Sequence, residues 1–509
     1  MLSDARATVP ETVGQLWRGL GVFGLTTHPV ALARVLLGGL PRHGMTIAAA
    51  LAGTAGAWGE RVALIDGQGA VSHAELHRAA RRRAAVLDQH GVVGPGTCVA
   101  VACGDDRELL ASAAALGHLG AAVTTLPPRM GLATFDAWAA ASGVDVLLHG
   151  PEADELAARF PGRSLSLADL AALAADTPAA RPAPSRARRS RLVMVTSGTT
   201  GAPKGIPIRR RAAQAIVSVG QAGATGVRSG VPTLVWPPLN HGYGLAAALL
   251  CLVAGAPVVA SSALGRASLS DGAGTAALAA IRRYGVGSVF AVPAQLRALA
   301  EAAGDGGPVP RLRAVVSGSD ALDATTIAGL NAAFGPVLVS FYGSTEAGTF
   351  TMADGAMLAE DAACVGRPIA GARVQVVSDD GDPTPRGVPG RVRVRTSTAS
   401  LADPGSSWLT LGDVGVMDAR GRLSVLGRAG DVARMGGEFV HPARVQRLLA
   451  AQPGVAEAEI QLVPDERYGQ RLTATVRLTS GYAPAVAAWR EAVRRELGAA
   501  SVPREITVV

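Results

Sequence analysis

The segment TSGTTGAPKG, residues 196–205, carries the only lysine of the 509-residue chain. The 48 lysine and arginine residues comprise Lys204 and 47 arginines, so this one position needs an explanation. The apolar stretch LVMVTSG enters a loop of Gly, Ser and Thr, which presents backbone N–H groups and hydroxyls in one concave patch. Such a patch suits phosphate oxygens, and an ammonium there is a compact charge that the planar guanidinium of arginine does not freely replace.

The loop is not a Walker A motif, because Pro203 precedes the lysine and Gly205 follows it. A structural turn is the alternative interpretation, but a surface turn would tolerate arginine in place of the lysine. We therefore predict a phosphate site. Its candidate residues are Lys204, Thr196, Ser197, Gly198, Thr199, Thr200 and Gly201.

Further motifs accompany this loop along the chain. They are NHGYG (240–244), SGSDAL (317–322), FYGSTEAG (341–348), LGDVGVMDARGRLSVLGRAGD (411–431) and GGEFVHPARVQ (436–446). In this order, across residues 60–509, they resemble the motifs of the adenylate-forming (ANL) superfamily, which contains acyl-CoA synthetases, peptide-synthetase adenylation domains and luciferases. The N-terminal stretch and AVSHAEL are most similar to bacterial fatty-acyl- or aryl-acid–CoA ligases.

The resemblance implies a nucleotide site. Tyr342 offers a flat face on which adenine stacks, and its neighbours in the pocket are Gly318, Ser319, Gly343 and Ser344. The expected cofactors are ATP and Mg²⁺, with CoA as the second substrate.

Charged side chains complete the implied site. Glu346 is a hard oxygen ligand for Mg²⁺, and Thr200 is the second predicted metal ligand. Thr345 supplies a hydroxyl to phosphate or metal. Asp413 accepts hydrogen bonds from the ribose hydroxyls, and Arg428 donates hydrogen bonds to the ribose or to the edge of the phosphates.

One histidine is a candidate site residue, and three others are interpreted as surface residues. His241 resembles the gating histidine beside the acyl site, and a structural loop histidine is its alternative. His73 and His77 lie one helical turn apart without a third ligand, and we interpret both, like His441, as surface residues. The predicted catalytic residues are Lys204, Thr345, Glu346 and His241.

The implied chemistry is attack of a carboxylate on the α-phosphate of Mg-ATP, which gives an acyl-adenylate and pyrophosphate. A thiol such as CoA then displaces AMP. Two alternatives stay open. One is an ATP-dependent diazotase-type enzyme that activates nitrite to diazotise an aromatic amine, and the other is a nucleotide-binding homologue with weak or no ligase activity.

The chain departs from the superfamily pattern in three ways. Gly430 occupies the hinge position, and glycine is compatible with large φ/ψ changes. Leu411 replaces the threonine of the Thr-Gly-Asp turn. No lysine follows Lys204, so the usual C-terminal lysine motif is expected to be missing, with slow adenylation unless an arginine such as Arg434 substitutes. Asp418 and Arg422 fit a plain β-turn.

Alternating apolar strands and Ala-rich helices predict an α/β fold with mainly parallel sheets flanked by helices. The resemblance adds a distorted β-barrel to this large N-terminal domain, residues 1–428, and a small mobile α+β C-terminal domain, residues 429–509. The run from Gly244 to Ala260 is interrupted by Gly and Pro, which predicts a buried helix followed by a strand rather than a membrane span.

Composition narrows the function further. The net charge is +8, yet aromatic residues make up only 4% and no nucleic-acid-binding motif is present, so we expect no nucleic-acid partner. The N-terminus lacks an apolar signal segment, and the four cysteines lack metal-ligand spacing. We predict a cytoplasmic enzyme with reduced thiols, a small-molecule acid or nitrite and aryl amine as substrate, and an oligomeric state that is either monomer or dimer.

Overall fold

The computed structural model describes residues 46–175, 185–196, 204–208, 222–269, 272–304, 312–396, 408–429, 433–435, 438–440, 442–465 and 469–509. The chain forms two compact units. The first lies within Met1–Arg373 and Arg395–Ser407, and the second within Val374–Val394 and Trp408–Val509.

The first unit alternates strands with helices. In chain order it begins with α1 (Ile47–Trp58), β1 (Val62–Asp66), β2 (Gly69–Ser72), α2 (His73–Gln89), β3 (Cys98–Ala102), α3 (Asp106–Leu119), β4 (Ala122–Leu126), α4 (Leu132–Ser142), β5 (Val146–His149), α5 (Asp154–Arg159), β6 (Arg163–Ser166), α6 (Leu167–Ala175), β7 (Arg191–Thr196) and β8 (Lys204–Ile208). It continues with β9 (Thr233–Val235), α7 (Gly242–Ala254), β10 (Val258–Ala260), α8 (Ala273–Tyr284), β11 (Ser288–Ala291), α9 (Pro293–Gly304), β12 (Ala314–Ser317), α10 (Ala324–Phe334), β13 (Leu338–Ser344), β14 (Gly348–Asp354), α11 (Gly355–Glu360) and β15 (Cys364–Pro368). Short 3₁₀ helices lie at Pro151–Ala153, Ala187–Arg189 and Ser261–Leu269.

One sheet of this unit has six strands in the order β6-β5-β3-β4-β7-β8. Neighbouring strands run parallel except β7 and β8, which pair antiparallel. β3 and β4 are apolar along most of their length and almost wholly buried, as expected where helices cover both faces of a parallel sheet.

A second sheet runs through β15-β14-β13-β12-β11-β9-β10-β1-β2. The strands from β13 to β1 are parallel, while β2, β14 and β15 are antiparallel to their neighbours. Alternate residues of β9 enter different cores: Val235 packs with residues of α7, and Leu234 packs with residues of α8 and α9. Helices therefore cover both faces of this sheet as well.

Local sequence signals explain where the helices begin. Ser72 forms a capping box with Glu75, in which the Ser72 Oγ accepts from the Glu75 N–H at 3.2 Å and the Glu75 Oε2 accepts from the Ser72 N–H at 2.8 Å. Asp105 caps α3 in a similar way, by accepting from the N–H of Glu108 at 3.2 Å.

The second unit contains a run of antiparallel strands followed by an α+β segment. Its elements are β16 (Ala372–Val377), β17 (Gly390–Thr396), β18 (Leu409–Met417), β19 (Leu423–Arg428), β20 (Ala433–Met435), β21 (Glu438–Val440), α12 (Pro442–Ala450), β22 (Val455–Asp465), β23 (Gly469–Leu478), α13 (Val486–Leu497), a 3₁₀ helix (Ala499–Ser501) and β24 (Glu505–Val508), with the ends of β16 and β17 reaching past the boundary. β22, β23 and β24 form one sheet, and Val445, Val476 and Trp489 lie in the core beside it.

The α/β fold class is confirmed. The run from Gly244 to Ala260 forms most of α7 and then β10, as predicted. All four cysteines are free thiols, and three of them are buried. Among the helices in the described part of the chain, none has the length and apolar character needed to cross a bilayer. The domain boundary at residues 428 and 429 stays a prediction.

Candidate active site

Three polar segments meet at one edge of the second sheet. β9, β11, β12 and β13 are parallel neighbours, so their carboxyl ends lie side by side. Residues 236–244 follow β9, residues 318–320 follow β12, and residues 342–346 form the end of β13 and the turn after it. Ligands of α/β sheets bind at this edge.

The end of β12 has two unusual features. Ser317 is fully buried, and its Oγ has no hydrogen-bond partner within the described residues. Ser319, two residues later, has a φ of 77°, and no other non-glycine residue of the described backbone has a positive φ. Backbone strain of this kind costs on the order of 1–3 kcal/mol and clusters at ligand sites. Gly318 lies between them and is buried.

The end of β13 carries the predicted adenine face. Tyr342 is half-buried, and its ring packs edge-on against Phe350 with centroids 4.8 Å apart and planes at 74°. A Cβ on Gly343 would lie 2.4 Å from the carbonyl oxygen of Gly348, so only glycine fits this close approach of β13 and β14.

Thr345 and Glu346 lie in the turn between β13 and β14, and both are half-buried. The Ser344 Oγ accepts a hydrogen bond from the N–H of Ala347 at 3.1 Å and so closes this turn. The turn therefore presents a hydroxyl and a carboxylate beside Tyr342, in the order that the sequence predicts.

The 237–244 loop, which follows β9 of the second sheet and includes the first three residues of α7, contacts the six-stranded sheet of the first unit. Thr125, near the end of β4, donates its hydroxyl hydrogen to the carbonyl oxygen of Asn240 at 2.8 Å. A Cβ on Gly242 would lie 2.7 Å from the Cε of Met194 in β7. The loop is therefore positioned where the carboxyl ends of β4 and β7 approach those of the second sheet.

His241 is the residue immediately before α7. Its N–H donates to the carbonyl oxygen of Pro238 at 3.1 Å, and its side chain is exposed at the surface of the loop. Desolvation by the surrounding residues lowers the pKa of the imidazole. The ring is therefore neutral at neutral pH.

Thr196 and Lys204 are brought together by strand pairing. Thr196 is the last residue of β7, Lys204 is the first residue of β8, and their Cα atoms are register partners. The other predicted loop residues, Ser197, Gly198, Thr199, Thr200 and Gly201, lie outside the described residues, as does the predicted hinge residue Gly430.

Asp413 and Arg428 belong to the second unit. They are register partners on β18 and β19, and the Nε of Arg428 lies 3.2 Å from the Oδ1 of Asp413. Asp413 is 14% exposed and Arg428 is 63% exposed. The pair thus holds a partly buried carboxylate next to a guanidinium that stands largely in solvent.

The sequence model of one protein family, described as AMP-binding enzyme, matches residues 51–401. The chain belongs to the AMP-binding enzyme family.

Individual AMP-binding enzymes are similar over most of the chain. Feruloyl-CoA synthase from Amycolatopsis sp. is 30% identical over 431 residues, which cover 80% of this chain and 84% of that protein. The structure of amide bond synthetase McbA from Marinactinospora thermotolerans is 28% identical with a TM-score of 0.75, covering 91% of this chain and 95% of that one. O-succinylbenzoate coenzyme A synthetase (MenE) from Bacillus subtilis, in complex with ATP and magnesium ion, shares the fold at 23% identity and a TM-score of 0.75, covering 90% and 95%. The chain is an AMP-forming ligase.

The donor set of this AMP-binding enzyme limits how it can hold a metal. No group of three or more His, Cys, Asp or Glu side chains is arranged around a metal position in the parts of the chain that the structure describes. Mg²⁺ is commonly bound by one or two carboxylates together with substrate phosphates and water. Glu346 fits that pattern, because a metal there would take its remaining ligands from the nucleotide.

His73 and His77 of the AMP-binding enzyme are both shielded from solvent, His73 more completely than His77. The surface position predicted for His73 is wrong, because the residue is fully buried. The first turn of α2 packs under the β1 hairpin, where the N–H of His73 donates to the carbonyl oxygen of Arg61 at 3.1 Å. His77 is half-buried. Burial lowers the pKa of both histidines to about 4, so neither is a charged surface group at neutral pH.

Sequence reasoning did not single out three residues that shape the edge: Thr125, Met194 and Tyr243. Thr125 and Met194 lie within strands whose ends drew attention instead, and Tyr243 is a letter of NHGYG whose own role the motif does not indicate. A separate cavity of about 430 Å³ lies between α1, α3 and the amino end of β7, lined in part by Thr46 and Arg191. It is remote from the carboxyl edge and is not part of the candidate site.

Proposed function

We propose that the enzyme activates a carboxylic acid with ATP, forms an acyl-adenylate with release of pyrophosphate, and transfers the acyl group to CoA or another acceptor. The observation that carries this proposal is the contact of the 237–244 loop, which follows β9 of the second sheet, with β4 and β7 of the six-stranded sheet through Thr125 and Met194. Because of that contact, the strand that leads to the phosphate loop lies next to the segment that follows β9, at the same edge of the second sheet as Ser319 and Tyr342.

In this proposal the phosphates bind at the end of β7. Lys204 neutralises charge on the phosphates, and the loop after β7 donates hydroxyls and backbone N–H groups. The pairing of Thr196 with Lys204 supports this role, since it holds the lysine backbone opposite the point where the loop begins. The loop ligands are Thr196, Ser197, Gly198, Thr199, Thr200 and Gly201.

The adenine ring stacks on Tyr342 and lies against the strand ends around it. Ser319 supports this role, because its strained backbone turns the chain sharply at the end of β12. Gly343 keeps the β13 and β14 backbones close beside Tyr342. Gly318 and Ser344 complete the surroundings of the base.

Asp413 and Arg428 bind the ribose. A carboxylate can accept hydrogen bonds from two neighbouring hydroxyls, and the mostly exposed guanidinium can donate to the sugar or the phosphate edge. The Arg428 contact also holds Asp413 in position.

Glu346 and Thr200 would hold Mg²⁺, which neutralises phosphate charge when it is bound. Thr345 donates its hydroxyl to the same phosphates. The turn contact from Ala347 to Ser344 keeps these side chains on one side of Tyr342.

The reaction proceeds in two displacements. A carboxylate oxygen of the acid bonds to the α-phosphorus, and the bond to the bridging oxygen breaks, with its electron pair leaving on pyrophosphate. The acceptor then loses a proton and attacks the carbonyl carbon, and AMP leaves with the electron pair of the C–O bond. No side chain becomes covalently attached, so the protein contributes positioning and charge neutralisation. His241, exposed at the residue before α7, serves as a gate to the acid site.

The test is acid-dependent pyrophosphate release by the full chain and by Lys204→Ala and Lys204→Arg. We expect both variants to lower kcat/KM for ATP by about 100-fold, because the ammonium makes a charged interaction that strengthens in the transition state. Arg163→Ala, an exposed arginine of β6, is the matched control and should leave the rate unchanged. A wild-type rate in Lys204→Arg would contradict the role of the lysine, and no release with any acid would contradict the proposed function.

The acceptor is identified by a second arm of the same experiment. A relative of the chain is a feruloyl-CoA synthase and a structural neighbour is an amide bond synthetase, so a thiol and an amine are both tested. Mass spectrometry of reactions with CoA, with an amine, and with nitrite plus an aryl amine distinguishes a thioester, an amide and a diazonium product.

A further inference from the structure

The cavity between α1, α3 and the amino end of β7 lies at the opposite edge of the six-stranded sheet from the candidate nucleotide site. Its volume is about 430 Å³, within the range of roughly 300–1,000 Å³ that small-molecule sites occupy. β7 begins at Arg191, which lines the cavity, and ends at Thr196, where the candidate phosphate loop follows. The rise of about 3.3 Å per strand residue separates these two ends by about 17 Å.

The interior of the cavity is aliphatic. Ala113 and Gly117 are four residues apart on α3, so they share one face of the helix, and their small size leaves the space open. The lining residues without a polar side chain come from α1, α3, β4, β7 and β8, and they are Ile47, Ala113, Gly117, Val123, Leu192 and Ile208. An apolar group gains free energy by leaving water for such surroundings.

Two arginines mark the opening of the cavity. Arg188 and Arg191 line it and are exposed, whereas the lining residues of α3 are buried. The neighbouring Arg186 is neutralised by Asp88, with the Nη1 and Oδ1 atoms 2.7 Å apart. Within the described part of the chain, no carboxylate pairs with Arg188 or Arg191. Two guanidinium groups without a counter-charge at one opening attract an anion.

The segment that carries these arginines is held in place by its backbone. The N–H of Arg186 donates to the carbonyl oxygen of His118 at 2.8 Å, and the N–H of Arg191 donates to that of Ala121 at 3.3 Å. A Cβ on Gly120 would lie 2.8 Å from the carbonyl oxygen of Arg186, so the segment packs closely against the end of α3. The backbone is therefore ordered before a ligand binds, which lowers the entropic cost of binding.

We propose that this cavity binds an organic anion with an aliphatic body, as a second site separate from the nucleotide site. The anionic head, a carboxylate, sulfonate or phosphate, pairs with Arg188 and Arg191, and the body lies among the aliphatic side chains. Ser190, between the two arginines in sequence, also lines the cavity and supplies a hydroxyl donor. This inference is independent of the proposed function.

The test is titration calorimetry of the full chain with butane-, hexane- and octanesulfonate, which have no carboxylate that could be adenylated. We expect the affinity to rise about fourfold with each methylene that the cavity buries. 1-Hexanol has the same tail as hexanesulfonate without the charge and should bind about tenfold more weakly or worse. No binding of any sulfonate, or equal binding of all three, would overturn the inference.

Arginine variants test the head of the ligand. Arg188→Ala and Arg191→Ala should each weaken octanesulfonate binding about tenfold, because each removes a charged donor. Arg189→Ala is the matched control. Arg189 is exposed on the same 3₁₀ helix but is directed to the end of α3, where its Cβ lies 3.4 Å from the position of a Cβ on Gly120. Equal losses in all three variants would reflect net charge alone and would overturn the inference.

A larger side chain on α3 tests the tail of the ligand. Ala113→Leu occupies the cavity without changing a charge and should lower the affinity for octanesulfonate about tenfold or more. If its melting temperature shows that this variant is poorly folded, Gly117→Ala provides a milder test, because its added Cβ would have ordinary contacts, the nearest at 3.6 Å from the Oγ of Ser190. Unchanged affinity in every folded variant of this pair would overturn the inference.

Two further arms establish where the anion binds. Lys204→Ala alters the candidate phosphate site and should leave octanesulfonate binding unchanged, and a loss of binding there would place the anion at the nucleotide edge and overturn the inference. Phosphatidylglycerol vesicles distinguish a free anion from a bilayer surface. Co-sedimentation with these vesicles that is lost in the Arg188→Ala and Arg191→Ala double variant, without binding of free octanesulfonate, would also overturn it.

Discussion

The hairpin of β18 and β19 contains two aspartate–arginine pairs that look alike in sequence and differ in their surroundings. Asp413 and Arg428 face each other near the open end of the hairpin at 3.2 Å, and the arginine is 63% exposed. Asp418 and Arg422 close the turn at the other end at 2.7 Å, and there the arginine is only 18% exposed.

The polar groups of the turn pair form their hydrogen bonds within the turn itself. The Oδ1 of Asp418 accepts from the backbone N–H of Arg422 at 2.8 Å, and the N–H of Asp418 donates to the carbonyl oxygen of Arg422 at 2.9 Å. In the strand pair the carboxylate is the more buried partner and the cation stands in solvent. An ion pair therefore does not mark a ligand site by itself, and the exposure of its donor groups is what distinguishes the two.

Asp413→Asn gives the largest expected effect. Replacing the carboxylate with an amide removes a charged acceptor for the ribose hydroxyls, and such hydrogen bonds contribute about 1.5–3 kcal/mol. We expect the KM for ATP to rise about 10- to 100-fold, with little change in melting temperature. Steady-state kinetics with ATP as the varied substrate measures this. An unchanged KM would mean that the strand pair is as structural as the turn pair.

Arg428→Ala should have the next largest effect. Loss of the guanidinium removes one exposed donor and leaves Asp413 without its cation, so we expect the KM for ATP to rise about tenfold. Arg428→Lys keeps the charge but not the planar fork, and its KM should fall between those of the wild type and the alanine variant. Equal values for all three proteins would show that the exposed guanidinium does not contact the nucleotide.

Gly412→Ala tests the position of the Arg428 side chain in the strand pair without removing a charge. A Cβ there would lie 3.3 Å from the Nη1 of Arg428, so the flexible arginine must move by a few tenths of an ångström. We expect a rise of about two- to fivefold in the KM for ATP together with a stability gain of about 0.5 kcal/mol, because alanine restricts the unfolded chain. Gly56→Ala in α1, which has no neighbour within 4 Å of the added Cβ, should show the stability gain alone.

Sequence was sufficient for the fold where the signal is long and periodic. The apolar run through α7 and β10 forms the predicted elements, because its pattern extends over several turns. Tyr342 and Glu346 are singled out by the resemblance of FYGSTEAG to the superfamily motif, and they lie at the end of β13 and in the turn after it. These inferences needed only neighbours in sequence.

The features that could not be predicted from the sequence depend on contacts between residues that are far apart along the chain. The hydrogen bond from Tyr243 to Val316 spans 73 residues, and nothing in NHGYG indicates its partner. The burial of His73 depends on the packing of α2 beneath a hairpin, which decides the buried face of the first turn. The left-handed conformation of Ser319 is likewise imposed by its surroundings, since serine has no intrinsic preference for it.

Asp418→Asn should have the smallest effect, and it is confined to stability. A partly exposed ion pair such as this one contributes about 0.2–1 kcal/mol, so we expect a small fall in melting temperature at neutral pH and unchanged kinetics with ATP. Partial burial would raise the pKa of Asp418, but hydrogen bonds from the backbone N–H and the guanidinium of Arg422 outweigh it and hold the pKa below the usual 3.8. The carboxylate therefore stabilises the folded state above that value and loses this contribution as the pH falls through the lower folded-state pKa. The difference in melting temperature between wild type and variant should shrink below about pH 4. A constant difference from neutral to acidic pH, or a change in the KM for ATP, would contradict the assignment of this pair to the turn alone.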